Sequence, residues 1–241
     1  EEREKDIVKE EIEEDTMRRT GKTHKYHISY DLWEMCEGIH LYSLASIYAA
    51  FNSILKIYRV LGENVSGFEN NRLKEEKVQK NEREIEKIQV EIKKYINENM
   101  YDENKKSYIR NSEDRKMDIS ILGAVTPFNV FKAKETKIKN TVESINLHLR
   151  TYTGGYQRFE QDNYMNGNPW PIANLWMTLY YLESGEKKKA KETFDFVVKT
   201  AGKHYFLSEQ IDNQTLKPNW VIGLGWSHAM FLIVLEKLYN K

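Results

Sequence analysis

Two glutamates, 175 positions apart, each stand beside aromatic residues. Glu34 ends the run Tyr30-Asp31-Leu32-Trp33-Glu34 and is followed by Met35-Cys36-Glu37-Gly38. Glu209 lies in Leu207-Ser208-Glu209-Gln210-Ile211-Asp212, with Trp220 and Gly225-Trp226-Ser227-His228 soon after. An apolar neighbour penalises the charged form of a carboxyl and raises its pKa, as a general acid requires at neutral pH. Glu34, directly after a tryptophan and just before a helix, fits that role. Taken alone, it fits a helix-capping acid beside a core tryptophan better still. Glu209 could take a proton from water, or be a plain surface acid. Cleavage of a glycosidic bond uses such a pair: a protonated acid at the leaving oxygen and an ionised carboxylate elsewhere around the ring.

Between them runs Gly154-Gly155-Tyr156-Gln157-Arg158-Phe159-Glu160-Gln161-Asp162-Asn163-Tyr164-Met165-Asn166-Gly167-Asn168-Pro169-Trp170. A guanidinium, two acids, amides, tyrosines and a tryptophan in one short loop are the mixture a polyol needs. Forked donors and acceptors meet hydroxyls, and flat rings cover the apolar faces of sugar rings. Part of the segment also reads as a helix start, with Asn168 as the cap and Pro169 at the first helical position.

The elements that must hold these loops are helical. A charged helix is expected over residues 1–19, a polar connection over 21–38 and a second helix over 41–61. In the latter, Leu44, Ile47, Tyr48, Phe51, Ile54, Leu55 and Tyr58 share one wide face. Residues 70–98 carry a narrow stripe of Ile85, Ile88, Ile92 and Ile96, which predicts an outer helix with a solvated charged face. Periodicity fails over 101–110, where Ser107-Tyr108-Ile109-Arg110 could form a hairpin arm. Further helices are expected over 118–125, 128–149, 169–183, 187–202 and 226–238, with no strand signal strong enough for a sheet of any size. Helix pairs joined by alternating short and long loops, with the unusual residues on the long ones, suit a scaffold that presents a site at one end.

Composition narrows the function classes. Basic and acidic residues balance at 37 each, so no net charge recruits nucleic acid or a membrane surface. No apolar run approaches the roughly 20 residues of a membrane span. The single cysteine, Cys36, allows no internal disulfide and fits a reducing, cytoplasmic setting. His24 and His27 lack a third ligand, so no metal is expected, and Cys36 has no accompanying histidine motif for thiol catalysis. His228 reads as a packed or site-lining residue, Trp176 as core, and Gly223-Leu224-Gly225 lacks the rest of a dinucleotide fingerprint, so no cofactor is expected.

The three loops resemble those of glycoside hydrolase family 15, the glucoamylase, glucodextranase and trehalase-like family. Tyr30-Asp31-Leu32-Trp33-Glu34 is similar to its general-acid motif, Arg158-Phe159-Glu160-Gln161-Asp162 through Asn166-Gly167-Asn168-Pro169-Trp170 to its substrate-binding loop, and Ser208-Glu209-Gln210 to its general-base motif. Gly225-Trp226-Ser227-His228 and Met117-Asp118-Ile119-Ser120 also resemble family segments. The resemblance implies an all-α (α/α)6 barrel, present here only as its C-terminal half to two-thirds in one partial domain, 1–241. It further implies an exo-acting, inverting α-glucosidase that releases glucose from α-glucans or oligosaccharides. Glu34 would be the acid and Glu209 the base, with Asp31, Trp33, Glu37, Arg158, Asp162, Tyr164, Trp170 and Trp226 binding the sugar. Many members carry a second glutamate after the acid, where this chain has Met35, so that sugar contact would be lost or pass to Glu37. The earlier half of the barrel and the N-terminal β-sandwich of prokaryotic members are expected to be absent, which would expose an apolar face to a partner chain or to a second copy. The alternatives are the same chemistry on trehalose or an α-1,6-glucan, and a catalytically silent toroid that binds glycan or protein.

Overall fold

The structure, a computed structural model, describes residues 2–21, 24–64 and 71–239. Helix α1 (Glu2–Thr20) precedes a short hairpin of β1 (Ser29–Tyr30) and β2 (Glu37–Gly38). Helices α2 (Leu41–Asn64) and α3 (Asn71–Asn99) follow, then a second hairpin of β3 (Tyr101–Asp102) and β4 (Ser107–Tyr108). A 3-10 helix (Ile119–Ala124), α4 (Thr136–His148) and a 3-10 turn (Tyr164–Asn166) lead to α5 (Pro171–Ser184) and α6 (Lys187–Thr200). A third hairpin, β5 (Ser208–Ile211) and β6 (Pro218–Ile222), precedes α7 (Gly225–Tyr239). Among the described residues the strands form only these two-stranded antiparallel ladders. No helix among the described residues is long and apolar enough to cross a membrane.

Helix α5 is the centre of the molecule. Every residue from Pro171 to Tyr181 is buried, the pattern of a helix covered on all sides. It packs on α6, α7, the 3-10 helix and β5. Two of its buried side chains bond back along the helix, Asn174 Nδ2 to the Trp170 carbonyl at 2.7 Å and Thr178 Oγ1 to the Asn174 carbonyl at 2.9 Å, while the Tyr180 and Tyr181 hydroxyls reach Ala133 and Asn146 outside it. Gly185, at φ 87°, ends it by turning left-handed so that its N–H reaches back into the last turn. Helix α6 lays Ala190, Phe194 and Val197 against this core at helical spacing. Helices α2 and α3 pack on each other, with Gln89 Nε2 donating to the Tyr48 carbonyl and to Asn52 Oδ1.

Three elements depart from the expectations. The helix expected over 128–149 begins only at Thr136, because residues 126–135 find other hydrogen-bond partners. The N–H groups of Val130 and Phe131 donate to the Ala124 carbonyl at 2.8 and 3.1 Å, and Tyr180 donates its hydroxyl to the Ala133 carbonyl. The buried positions of such a loop, Val130, Phe131 and Ala133, are tolerated because their backbone polar groups are paired in this way. The central helix starts two residues late: Trp170 is its cap and Pro171, not Pro169, takes the first helical position. The stripe on α3 is buried at Ile85, Ile92 and Ile96 while Ile88 is exposed.

The apolar surface is uneven. Helix α7 buries only Ser227 and Val234 and exposes Leu232, Ile233, Leu235 and Tyr239. On β6, Trp220, Val221 and Ile222 are exposed, and on α2 so are Ile47, Ile54, Ile57 and Val60.

Candidate active site

The first hairpin makes a tight turn for Glu34. Asp31 Oδ1 accepts the backbone N–H groups of Met35 and Cys36 at 2.6 and 3.2 Å, and the Glu34 N–H donates to the Asp31 carbonyl at 3.0 Å. These bonds hold Glu34 at φ 55°, with its side chain exposed. A left-handed residue with a Cβ costs about 1–2 kcal/mol, and such strain concentrates at functional sites. Asp31 Oδ2 is buried and has no hydrogen-bond partner among the described residues.

Trp33 points the other way, into the protein. Its ring centroid lies 5.7 Å from those of Trp170, Trp176 and Trp226. Its indole N–H donates to both carboxylate oxygens of Asp118, at 3.1 and 3.0 Å. Asp118 also caps the 3-10 helix, accepting the Ser120 N–H at 2.7 Å. Burial pushes the Asp118 carboxyl up to about 6, against the pull of these hydrogen bonds and of Arg110.

The long loop contributes a locked cation. Arg158 and Asp162 are both buried and joined by two parallel bonds, Nε to Oδ2 at 2.8 Å and Nη2 to Oδ1 at 2.9 Å. The guanidinium sits 4.7 Å from the Trp170 ring centroid, 5.0 Å from Tyr164 and 5.6 Å from Trp33. Asp162 also accepts the Tyr164 N–H at 3.1 Å. The loop closes through Gly167 at φ 66°, where a Cβ would sit 2.5 Å from the Asp162 carbonyl oxygen. Glu160, the other acid of this loop, is used elsewhere: it accepts from Lys105 at 2.9 Å and from the Met117 N–H at 3.1 Å.

Glu209 is presented by the third hairpin. It lies between the buried side chains of Ser208 and Gln210 and is itself half-buried, so strand alternation turns it away from them. Between the pairs Ser208–Ile222 and Gln210–Asn219, this one residue of β5 faces two residues of β6. Such a bulge re-aims neighbouring side chains and is frequent beside active sites. The strand is fastened to the long loop by Asn168 Nδ2, which donates to Gln210 Oε1 at 3.1 Å, and by the Ile211 N–H, which donates to the Pro169 carbonyl at 2.8 Å. Asn168 therefore ties two loops together instead of capping a helix. His228 Nε2 accepts the Leu207 N–H at 3.1 Å and fastens α7 to the same strand.

Trp33, Arg158, Asp162, Tyr164, Trp170 and Trp226 thus form one connected group, with Glu34 adjoining it through Trp33. Glu37 is exposed and faces helix α1, pairing with Arg19 at 2.9 Å. The Cys36 thiol is pushed up to about 11 by burial, which keeps it protonated at neutral pH. Among the described residues no three His, Cys, Asp or Glu side chains gather as a metal cage would need. Two residues of the group were not singled out from sequence. Trp176 is core, as its place inside a helix suggests, and its ring also meets Trp33 and Trp226. Asp118 was read only as part of a helix start; the signal available was a lone charge in the otherwise uncharged run 117–131.

A family model described as glycosyl hydrolases family 15 matches residues 20–205. The chain belongs to glycosyl hydrolase family 15. The matched region takes in Glu34, Arg158, Asp162 and Trp170 and stops short of Glu209. An uncharacterized glycosyl hydrolase of Methanocaldococcus jannaschii is 30% identical over 217 residues, covering 85% of this chain and 33% of that protein. Trehalase 1 of Sulfolobus acidocaldarius is 25% identical over 150 residues, covering 61% of this chain and 26% of the trehalase. The chain therefore spans a third or less of the length of these two relatives. A glycosidase solved in complex with glucose matches with a TM-score of 0.68 and 17% identity, over 87% of this chain and 54% of that one. The family 15 glucoamylase of Hypocrea jecorina matches with a TM-score of 0.61 and 14% identity, over 88% and 44%. These likenesses establish the fold as part of the (α/α)6 barrel of family 15 glucoamylases.

Proposed function

We propose that this family 15 chain carries the catalytic pair of an exo-acting, inverting α-glucosidase. Glu34 protonates the glycosidic oxygen and Glu209 activates a water on the opposite face of the sugar. Arg158, Asp162 and Asp31 hold hydroxyls, Trp33, Tyr164, Trp170 and Trp226 supply aromatic walls, and the contact that a second glutamate makes in many members is lost at Met35 or passes to Glu37, which must first leave Arg19. What supports this reading above all is that the loop between the two acids is fastened to both. Trp170 meets Trp33, the neighbour of Glu34, while Asn168 bonds Gln210, the neighbour of Glu209. We further propose that residues 1–241 are one partial barrel domain and that turnover requires the remainder of the barrel, joined to it or supplied as a partner chain.

The test is glucose release from maltooligosaccharides by the chain alone and by the chain joined to the rest of a family 15 barrel. Substitutions Glu34→Gln and Glu209→Gln should each abolish release while the fold is retained, and the initial product should be β-glucose. Full activity in either variant, or α-glucose as the first product, overturns the assignment. One observation favours a second reading, the same acid pair acting on trehalose: the Sulfolobus relative is named a trehalase. Assaying both substrates side by side separates the two. Oligosaccharide binding without release, even in the joined form, would favour a silent toroid.

A further inference from the structure

Asp118 is 1% exposed, and no lysine, arginine or histidine nitrogen pairs with it within 4.0 Å among the described residues. Each of the other buried aspartates has a local purpose. Asp102 pairs with Arg115 and Asp162 with Arg158, while Asp31 gathers the N–H groups of its own turn. Burying a carboxylate without a cation is costly unless strong donors replace water. Here the donors are the Ser120 N–H and, at both oxygens, the Trp33 indole N–H.

The backbone on either side of Asp118 grips a second part of the site. The Ile119 N–H donates to the Arg158 carbonyl at 2.8 Å, and the Glu160 N–H donates to the Met117 carbonyl at 2.8 Å. Asp118 and Phe159 are thus paired as an antiparallel bridge. A three-residue segment therefore fixes the Glu34 turn by a side chain and the Arg158 strand by its main chain. Trp33 alone could rotate within its aromatic surroundings; an acceptor at its indole nitrogen removes that freedom.

We propose that Asp118 is a positioning residue for the active site, orienting Trp33 and through it Glu34 relative to Arg158. This rests on the reading of Glu34 as general acid. The titratable groups facing Asp118 are Arg110, whose guanidinium carries the opposite charge, and Cys36, a thiol that stays protonated and neutral. The balance of donors and acceptors explains why an amide is a poor substitute. An asparagine leaves one oxygen for the Ser120 and Trp33 N–H groups to share and sets an NH₂ donor against the indole N–H where the second carboxylate oxygen accepted it.

The experiment is a double-mutant cycle of Asp118→Asn and Trp33→Phe, run in whichever form of the protein loses turnover on Glu34→Gln. Thermal melts verify that each variant folds. Asp118→Asn should lower kcat about 10- to 100-fold, as expected for sub-ångström to ångström misplacement, with a much smaller change in KM. Trp33→Phe should do the same, and the double variant should be no worse than Trp33→Phe, because one interaction has been removed twice. Independently of turnover, ¹⁵N-tryptophan spectra should show one indole N–H resonance displaced in Asp118→Asn and absent in Trp33→Phe. A wild-type kcat in Asp118→Asn, fully additive losses in the cycle, or an unmoved indole resonance overturns the proposal. If no form of the protein depends on Glu34, the functional reading fails by itself and the indole resonance still decides whether Asp118 holds Trp33.

Discussion

Arg158 is gripped by Asp162 through two parallel hydrogen bonds, at 2.8 and 2.9 Å, with both residues buried. The geometry fixes the plane of the guanidinium, which is then flanked by the rings of Trp170, Tyr164 and Trp33. Two charges taken from water are stable here only as a pair. Removing one of them, as in Asp162→Ala, should lower stability by about 3–5 kcal/mol because a buried cation is left behind. Arg158→Lys keeps the charge but loses the fork, so it should also destabilise. Urea unfolding of the three proteins checks this, and a loss below about 1 kcal/mol in Asp162→Ala, the range of an exposed pair, would mean that solvent reaches the site.

Glu34 should trade stability against activity. Its backbone is left-handed at φ 55°, a region in which asparagine is tolerated far better than glutamate. Glu34→Asn should therefore leave stability unchanged or raise it by up to about 1 kcal/mol, while losing the proposed proton donor and all turnover. Thermal melts with matched glucose-release assays measure both. A clear loss of stability in Glu34→Asn would show that the glutamate side chain holds the turn together, and strain at Glu34 would no longer point to function.

The residues of the candidate site stand out in the sequence more plainly than the loops of the scaffold around them. The acids, Arg158 and the tryptophans stood out because their chemistry is unusual in loops, and Trp33, Arg158, Trp170 and Trp226 do come together. The helical elements were legible from apolar spacing, as with Ala190, Phe194 and Val197 on α6. What was hidden depends on partners distant in the chain. Residues 126–135 read as helix because nothing local reveals that Ala124 and Tyr180 will take their backbone bonds. Asn168 looked like a cap because its partners, Gln210 and Asn213, lie more than forty positions away. Trp176 gave no sign from its spacing that one edge of its helix would close the aromatic group.

The Asp118 carboxyl gives a pH signature of known sign. Its ordinary value of 3.8 is raised to about 6 by burial, so the folded state binds the proton more tightly than the unfolded state. Stability from this group is fully present below about pH 4 and is lost as pH rises through 6. A displacement of that size corresponds to about 3 kcal/mol. Asp102 acts in the opposite direction, since Arg115 holds it down at about 2 and its contribution disappears as pH falls from 4 towards 2. Comparing the wild type with Asp118→Asn at each pH cancels the Asp102 contribution. The difference in unfolding free energy should shift in favour of Asp118→Asn between pH 4 and 6 and stay level above 7. A difference that is flat across the whole range would mean that Asp118 titrates as an exposed carboxylate does.

The exposed apolar residues of α7 and β6 should make the isolated chain associate. Leu232, Ile233, Leu235 and Tyr239 on the helix and Trp220, Val221 and Ile222 on the strand are all exposed, and large apolar side chains clustered on an element's surface are a common source of protein contacts. Burying apolar area contributes about 25 cal/mol per Å², so even partial coverage of several such side chains outweighs the loss of their mobility. Sedimentation velocity over a concentration series should therefore reveal species larger than 28.6 kDa. Replacing Leu232 and Val221 together by lysine should return the chain to a monomer without lowering its melting temperature, because neither side chain packs in the core. A chain that stays monomeric at high concentration before any substitution would show that this face is satisfied by water alone.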